Sequence, residues 1–161
     1  MRPLLPNSEA FGLNNMVPVQ LRGHHFLCML TFRGLGYSPE FTANMQDKIN
    51  RIKDGALVGL IEGPDDICAG ISKACRHATG HDCTAGDILA MDNVARVAVE
   101  AVLERDLGKA AAVTVLEIAK LRTGFSSRII RGACDGCSWF EICTHISSTN
   151  YAGTTLPVSQ S

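Results

Sequence analysis

Seven cysteines constrain this chain of 161 residues more than any other feature, because an odd number cannot pair completely into disulfides. Three of them lie in the segment ACDGCSWFEIC, where Cys134 and Cys137 flank an Asp-Gly turn and Cys143 follows. Two thiolates separated by two residues on a tight turn converge on one metal ion or cluster. The segment therefore predicts that these three cysteines bind a metal centre.

The rest of the chain indicates a reduced compartment, in which disulfides are not maintained. The first residues contain prolines and polar side chains where a signal peptide needs an apolar segment. Every apolar stretch is shorter than the roughly 18 residues that would suggest a membrane span. The net charge is -1 and the basic residues are scattered, which disfavours nucleic acid as the main partner. We expect a cytoplasmic protein with no membrane or nucleic-acid partner, acting with a redox or protein partner that the sequence does not identify.

Composition and periodicity predict an α+β fold: a mainly helical single domain with a small two- or three-stranded sheet and a cysteine-rich loop. A hydrophobic content of 46% is sufficient for one core at this length. Strands are predicted near residues 17–22 and 56–62, and the loop at 63–83 is expected to pack near the 134–143 turn. The predicted organisation is a flexible leader over residues 1–16, a metal-binding domain over 17–149 and a flexible tail over 150–161.

Helical periodicity and end signals predict five helices. Ser38 provides an N-cap for the second helix, with proline following in its first turn. Capping boxes of Thr114 with Glu117 and of Ser138 with Glu141 are predicted to open the fourth and fifth helices, and Gly124 to end the fourth. The predicted helices cover residues 24–34, 39–54, 87–107, 115–123 and the segment after 137. The buried stripe of the third is predicted to comprise Val94, Val97, Ala98, Ala101 and Val102.

Three cysteines do not complete a metal centre, because tetrahedral zinc and cubane clusters normally have four protein ligands. Cys68 is the first choice for the fourth ligand, since its loop lacks a core of its own and binding a metal would order it. The other candidates are Cys75, Cys83, and Cys28 with its helical neighbour His24. The identity of the fourth ligand stays open between them.

The loop around Cys68 contains further groups that could bind metal. Cys75 and Cys83, together with His77 and His81, could form a second site, a zinc-binding accessory or a set of spare thiols. The paired carboxylates just before Cys68 follow Gly and Pro, so Asp65 and Asp66 are interpreted as turn and cap residues.

His24, His25 and Cys28 form the other cluster of interest. The spacing of four between His24 and Cys28 places both on one face of a helix, where they could bind one ion or the imidazole could act as a base to the thiol. Apolar neighbours surround Cys28 in the sequence, so it could equally be a small core residue.

The segments LRGHHFLCMLTFRGLGYSPEFTANM, GPDDIC and CDGCSWFEIC resemble domain-of-unknown-function family 1284, an uncharacterised bacterial and archaeal family whose members are suspected iron-sulphur proteins. The resemblance runs from about Gln20 to His145. It implies a metal or cluster role for Cys68, Cys134, Cys137 and Cys143, with Cys28 as an additional candidate, and no established activity. The family pattern has a closer cysteine pair after PDDIC than the Cys68 and Cys75 of this chain.

Three functional hypotheses follow. The first is an iron-sulphur protein for electron transfer or redox sensing, based on a ligand set dominated by cysteine. The second is a structural zinc module that fixes the cysteine segments for binding a partner. The third is a thiol- or metal-dependent enzyme that uses His24 and Cys28.

Overall fold

The structure, a computed structural model, describes residues 17–70 and 83–158 and is mainly helical, with five α-helices and one small sheet in that part of the chain. No helix of this part is both long and apolar enough to cross a membrane. The elements in chain order are β1 (Val19–Leu21), α1 (Gly23–Cys28), α2 (Pro39–Lys53), β2 (Val58–Leu60), a 3-10 turn (Cys68–Gly70), α3 (Gly86–Leu103), α4 (Val115–Ser126), a 3-10 turn (Gly132–Cys134) and α5 (Phe140–Ser148). The predicted mainly helical α+β class is thus confirmed.

The sheet consists of β1 and β2, which pair in parallel with Val19 opposite Val58 and Leu21 opposite Leu60. All four of these side chains are buried. A parallel pair needs a crossover connection, and α1 and α2 supply it. Both strands lie where the sequence predicted them. The sheet matters for the site because β1 ends directly before α1.

Two predicted helix starts are confirmed by their hydrogen bonds. Ser38 Oγ accepts a hydrogen bond from the Phe41 backbone N–H at 3.1 Å, as an N-cap does. Thr114 Oγ1 accepts from the Glu117 N–H at 3.1 Å while the Glu117 carboxylate accepts from the Thr114 N–H, which completes a capping box. These local signals were sufficient because both residues of each pair are close in sequence.

Other predictions about the helices were wrong. The α3 stripe is shifted: the buried residues of this helix are Asp92, Ala95, Val99 and Leu103, whereas Val94 and Val97 are 49% and 60% exposed. Gly124 lies inside α4, which continues to Ser126. The last helix begins at Phe140 and lacks a side-chain cap, so Ser138 and Glu141 form no capping box. The first predicted helix is shorter than expected and ends at Cys28.

Helix α3 is the element that brings the candidate site together, because it packs against both α1 and the Gly132–Cys134 turn. Its approach to α1 requires glycine at position 23. A Cβ there would lie 2.1 Å from the Asp92 backbone oxygen, so any side chain would push α1 away from α3. The contact therefore places Asp92 beside Arg22 and His24, which flank Gly23.

Residues 150–158, which the sequence assigned to a tail, pack against the helices. Tyr151 and Leu156 are buried, with 4% and 2% exposure. The guanidinium of Arg122 on α4 donates hydrogen bonds to the carbonyl oxygens of Leu156 and Pro157. These residues are therefore held by the helices, while the predicted leader over residues 1–16 lies outside the described residues.

Candidate metal centre

Four cysteines from three separate parts of the chain line one cavity of about 370 Å³. Cys28 comes from the end of α1, Cys134 and Cys137 from the turn between α4 and α5, and Cys143 from the first turns of α5. All four are partly buried and none is in a disulfide. The three terminal cysteines singled out by the sequence therefore face the same cavity, and Cys28 is the fourth thiol on its wall.

The turn that carries Cys134 and Cys137 is built from backbone hydrogen bonds. The Cys137 N–H donates to the Cys134 carbonyl at 3.0 Å, and the Cys143 N–H donates to the Trp139 carbonyl at 2.9 Å. Gly136 adopts φ 77°, in the left-handed region that glycine adopts without steric strain. The Asp-Gly turn predicted from the sequence is thus present, and it presents both thiols to the same cavity.

The thiols are close enough to influence one another electrostatically. Burial raises the pKa of Cys28 well above its usual value, and negative charge on Cys143, Cys134 and Cys137 raises it further. Cys143 Sγ also accepts a hydrogen bond from Thr31 Oγ1 at 3.3 Å. Like charges that disfavour one another in this way can be held together by a shared cation.

A buried guanidinium lies beside these thiols. Arg131 is 3% exposed, and its positive charge lowers the pKa of Cys134 and Cys143 against the larger opposing effect of their burial. It stacks on the ring of Phe140 at 4.0 Å and donates to Thr144 Oγ1 at 2.7 Å. Among the described residues no carboxylate forms an ion pair with Arg131, and its buried Nε has no hydrogen-bond partner. A buried cation without a nearby negative charge is energetically unfavourable.

Aromatic rings cover one side of the cavity. Tyr37, from the loop before α2, meets the ring of Trp139 edge-on at 5.6 Å and the ring of Phe41 at 5.3 Å. The Tyr37 ring also lies close enough for charges on Cys28 and Cys137 to raise the pKa of its hydroxyl, after the larger effect of burial. These rings line the same cavity as the four cysteines.

The structure does not place Cys68, the first choice for the fourth ligand, on the wall of this cavity. Cys68 is 1% exposed, and its Sγ accepts a hydrogen bond from Arg22 Nη1 at 3.4 Å. Cys83 is also buried, and its carbonyl accepts from the same Nη1 at 2.8 Å. Cys75, His77 and His81 lie outside the described residues. The two loop cysteines that are described therefore belong to a different cluster.

Asp65 is the centre of that second cluster. Its Oδ1 accepts from the backbone N–H groups of Ile67 and Cys68, and its Oδ2 accepts from the N–H of Arg22 and from His25 Nδ1 at 2.8 Å. The ligand atoms of His25, Asp65 and Cys68 all lie within 4.8 Å of one another, so these residues could hold a metal ion. Asp65 caps its turn as predicted, and it also contacts His25, which the sequence placed in a cluster with His24 and Cys28.

A parallel arrangement holds the neighbouring histidine. Asp92 accepts a hydrogen bond from Arg22 Nε at 2.6 Å and contacts His24 Nδ1 at 2.5 Å. Its Oδ1 also accepts from the His24 backbone N–H at 3.1 Å. Arg22 is 1% exposed, and Asp92 comes from the buried face of α3. His24 and His25 both line the cavity of the four cysteines, each with its Nδ1 held by a carboxylate.

Acidification is expected to weaken the Asp65 cluster. Burial alone would raise the pKa of Asp65, but hydrogen bonds and charge from His25, with the backbone donors, lower it from 3.8 to about 2. Because the folded pKa is the lower one, the carboxylate stabilises the fold above about pH 4, and this contribution is lost as the pH falls from 4 to 2. We expect a loss of about 2 kcal/mol in urea unfolding of metal-free protein over that range. In Asp65→Asn the same interval should be flatter; an unchanged slope would contradict the assignment.

Comparison with known proteins gives a family but no activity. The profile of DUF1284, described as a protein of unknown function, matches residues 36–143, which includes Cys68 and the three terminal cysteines. Neither the curated proteins nor the solved structures contain a significant match to this chain. Because the matched segment covers most of the chain, the protein belongs to the DUF1284 family, whose function is unknown.

Proposed function

We propose that the protein binds an iron-sulphur cluster through Cys28, Cys134, Cys137 and Cys143 and uses it for electron transfer or redox sensing. The observation that carries this proposal is the convergence of four thiols, from three segments of the chain, on one cavity. Four cysteine ligands are the usual complement of both [2Fe–2S] and [4Fe–4S] clusters.

Cys28 is the fourth ligand in this proposal. It meets the other three thiols closely enough for their charges to affect its own ionisation, whereas Cys68 is engaged by Arg22 away from the cavity. Its position at the end of α1 is fixed by packing of that helix on α3, so the thiol is held before any metal arrives. A preformed position reduces the entropy lost when the centre assembles.

The spacing of the thiols favours a cluster over a single zinc ion. In a tetrahedral zinc site with Zn–S bonds of about 2.3 Å, neighbouring sulphurs are separated by roughly 3.8 Å. Among the described residues, the cysteine sulphurs form no group of three in which all atoms lie within 4.8 Å of one another. The cavity of about 370 Å³ also has room for more than one ion. Several metal ions and sulphides fit such a space better than one ion.

The charge balance also favours a metal–thiolate centre. Four thiolates around iron and sulphide give an anionic group, which would compensate the buried charge of Arg131. The buried Nε–H of Arg131, which has no partner among the described residues, could donate a hydrogen bond to a cluster or cysteine sulphur. A positive charge in this position would stabilise the reduced, more negative state of a cluster.

One edge of the centre lies near solvent. Asp135, Gly136 and Ser138, which flank Cys137, are exposed. A centre close to one surface could exchange electrons with a partner that docks there. It could equally respond to a small oxidant that enters the cavity, so electron transfer and redox sensing both remain within the proposal.

The visible spectrum tests the proposal. Protein purified without oxygen, or reconstituted with ferrous iron and sulphide, should be brown with broad absorption at about 400 nm that dithionite bleaches. Air should remove the colour irreversibly or change it. A colourless protein that takes up only zinc would overturn the cluster and favour the structural zinc module instead.

A further inference from the structure

We propose that His24 and His25 bind one divalent transition-metal ion through their Nε2 atoms, at a site beside the four cysteines but distinct from them. The proposal does not depend on the nature of the cysteine centre. It deepens the account of the cavity, because it assigns a function to the two imidazoles on its wall.

Hydrogen bonds at the Nδ1 atoms of the two rings leave their Nε2 atoms available to bind a metal. His24 Nδ1 lies 2.5 Å from an Asp92 oxygen, and His25 Nδ1 lies 2.8 Å from an Asp65 oxygen. A carboxylate that accepts from Nδ1–H fixes the neutral tautomer in which Nε2 carries a lone pair. Metal-binding histidines usually have this second partner, which orients the ring and makes Nε2 a better donor.

The two rings are close enough to share an ion. Their centroids are 4.2 Å apart and their planes are inclined by 55°, although adjacent residues of a helix normally point in different directions. The contact persists because a separate chain segment holds each ring: Asp92 comes from α3 and Asp65 from the loop after β2. Desolvating two buried carboxylates is unfavourable, so their position beside two adjacent histidines indicates a role other than packing.

The local charge favours a cation. Asp65 and Asp92 contribute two negative charges, and Arg22, which forms an ion pair with Asp92, contributes one positive charge. Imidazole binds a metal in its neutral form, so the two histidines add no charge in the metal-binding state. The net charge of this group is therefore negative, so a divalent cation would be attracted and an anion repelled.

The geometry places the ion on the Nε2 side rather than among His25, Asp65 and Cys68. Asp65 already accepts four hydrogen bonds, and Cys68 Sγ already accepts one from the positive Arg22. A cation there would have to displace these donors and approach a guanidinium. Among the described residues, the Nε2 atoms of both rings have no hydrogen-bond partner that a metal would have to displace, so Asp65 acts as the outer support of His25.

Two imidazoles leave coordination positions open. Structural zinc sites are closed by four protein ligands, whereas sites with exchangeable ligands keep at least one position for water or substrate. Borderline cations such as Zn²⁺, Fe²⁺ or Co²⁺ match imidazole ligands, while Mg²⁺ and Ca²⁺ prefer oxygen. The remaining positions would face the largely apolar cavity, where a small ligand could bind the metal next to the cysteine centre.

The ¹⁵N spectrum of the histidine rings tests this site directly in the full-length protein. Without metal, long-range ¹H–¹⁵N correlations should show His24 and His25 as Nδ1–H tautomers. Added Zn²⁺ should move the Nε2 resonances of both rings and leave those of His145, which is exposed at the end of α5, unchanged. Zinc captured by the cysteines alone would move no histidine nitrogen. That result, or movement of only one of the two rings, would overturn the proposal.

Affinity measurements test the proposed histidine site in a second way. In Co²⁺ titrations, the proposed site is recognised because its binding gives no sulphur-to-cobalt charge-transfer band, which thiolate ligands would give. His24→Ala and His25→Ala should each bind Co²⁺ at that site at least tenfold more weakly than the wild type. Asp92→Asn should weaken the same binding by about 10- to 100-fold, the usual effect of removing an outer partner. His145→Ala is the matched control and should bind as the wild type does. Equal affinity in all of these variants would contradict the assignment, whatever the cysteines bind.

Discussion

Cys28→Ala is expected to lower cluster occupancy at least about tenfold, because it removes one of four ligands and each tenfold corresponds to only ~1.4 kcal/mol. Cys68→Ala, which removes a more deeply buried thiol outside the cavity, should keep the wild-type spectrum. The pair tests the structural choice of Cys28 against the choice of Cys68 that the sequence and its family resemblance favoured. Anaerobic reconstitution followed by visible absorbance per chain is the measurement.

Folding must be checked in both variants before the colour is interpreted. Cys68 Sγ accepts from Arg22 Nη1, but the arginine keeps two partners when the thiol is lost, because Nη1 also donates to the Cys83 carbonyl and Nε donates to Asp92. Far-ultraviolet circular dichroism of the metal-free variants should therefore match that of the wild type. A colourless Cys68→Ala with a fully coloured Cys28→Ala would reverse the assignment of the fourth ligand.

Asp92→Ala is expected to destabilise the fold by about 3–5 kcal/mol, the range observed when one partner of a buried ion pair is removed. The substitution leaves the guanidinium of Arg22, which is 1% exposed, without its carboxylate. It also removes the support of the His24 ring and of the His24 backbone N–H. Urea unfolding of the metal-free protein at neutral pH measures the loss.

Asp87→Ala is the matched control for this substitution. Asp87 is an exposed carboxylate in the first turn of the same helix, where its favourable interaction with the helix dipole is worth less than about 1 kcal/mol. Losses of similar size in both variants would mean that the Arg22–Asp92 pair contributes little. Such a result would also weaken the argument that Asp92 is retained to orient His24.

The cysteine turn could be predicted from the sequence because its information is local. Cys134, Cys137 and the Asp-Gly dipeptide between them define a tight turn with two thiols, whatever surrounds it. The caps of α2 and α4 were predictable for the same reason, since Ser38 and Thr114 bond within three residues. Signals of this range do not require knowledge of the tertiary packing.

The fourth thiol was not predictable in this way. Cys28 lies among apolar residues on a short helix, where a ligand and a small core side chain have the same sequence surroundings. Its meeting with Cys143 depends on the packing of α1 and the Gly132–Cys134 turn against α3, which no short motif encodes. Cys68 was favoured instead because a loop without its own core suggested a metal, whereas Asp65 and Arg22 supply the ordering contacts there.

The sequence contained one signal for the carboxylates that hold the two histidines, namely the position of Asp92. Asp92 occupies a buried position of α3 in register with Ala95, Val99 and Leu103, so the true stripe contains a charge. The predicted stripe used apolar residues only. It therefore included Val94 and Val97, which are exposed, and omitted Asp92, which is buried. A carboxylate on the buried face of a helix requires a cationic or hydrogen-bonding partner, and Arg22 with His24 fills that role.

The central claim is that four thiols share one inorganic cluster, and chemical analysis of anaerobically purified protein tests it most directly. Iron, zinc and acid-labile sulphide should be measured per chain on the same sample. We expect several iron atoms with a matching amount of sulphide, both lost together in Cys134→Ala. A chain that carries zinc in place of iron, without acid-labile sulphide, would contradict the claim.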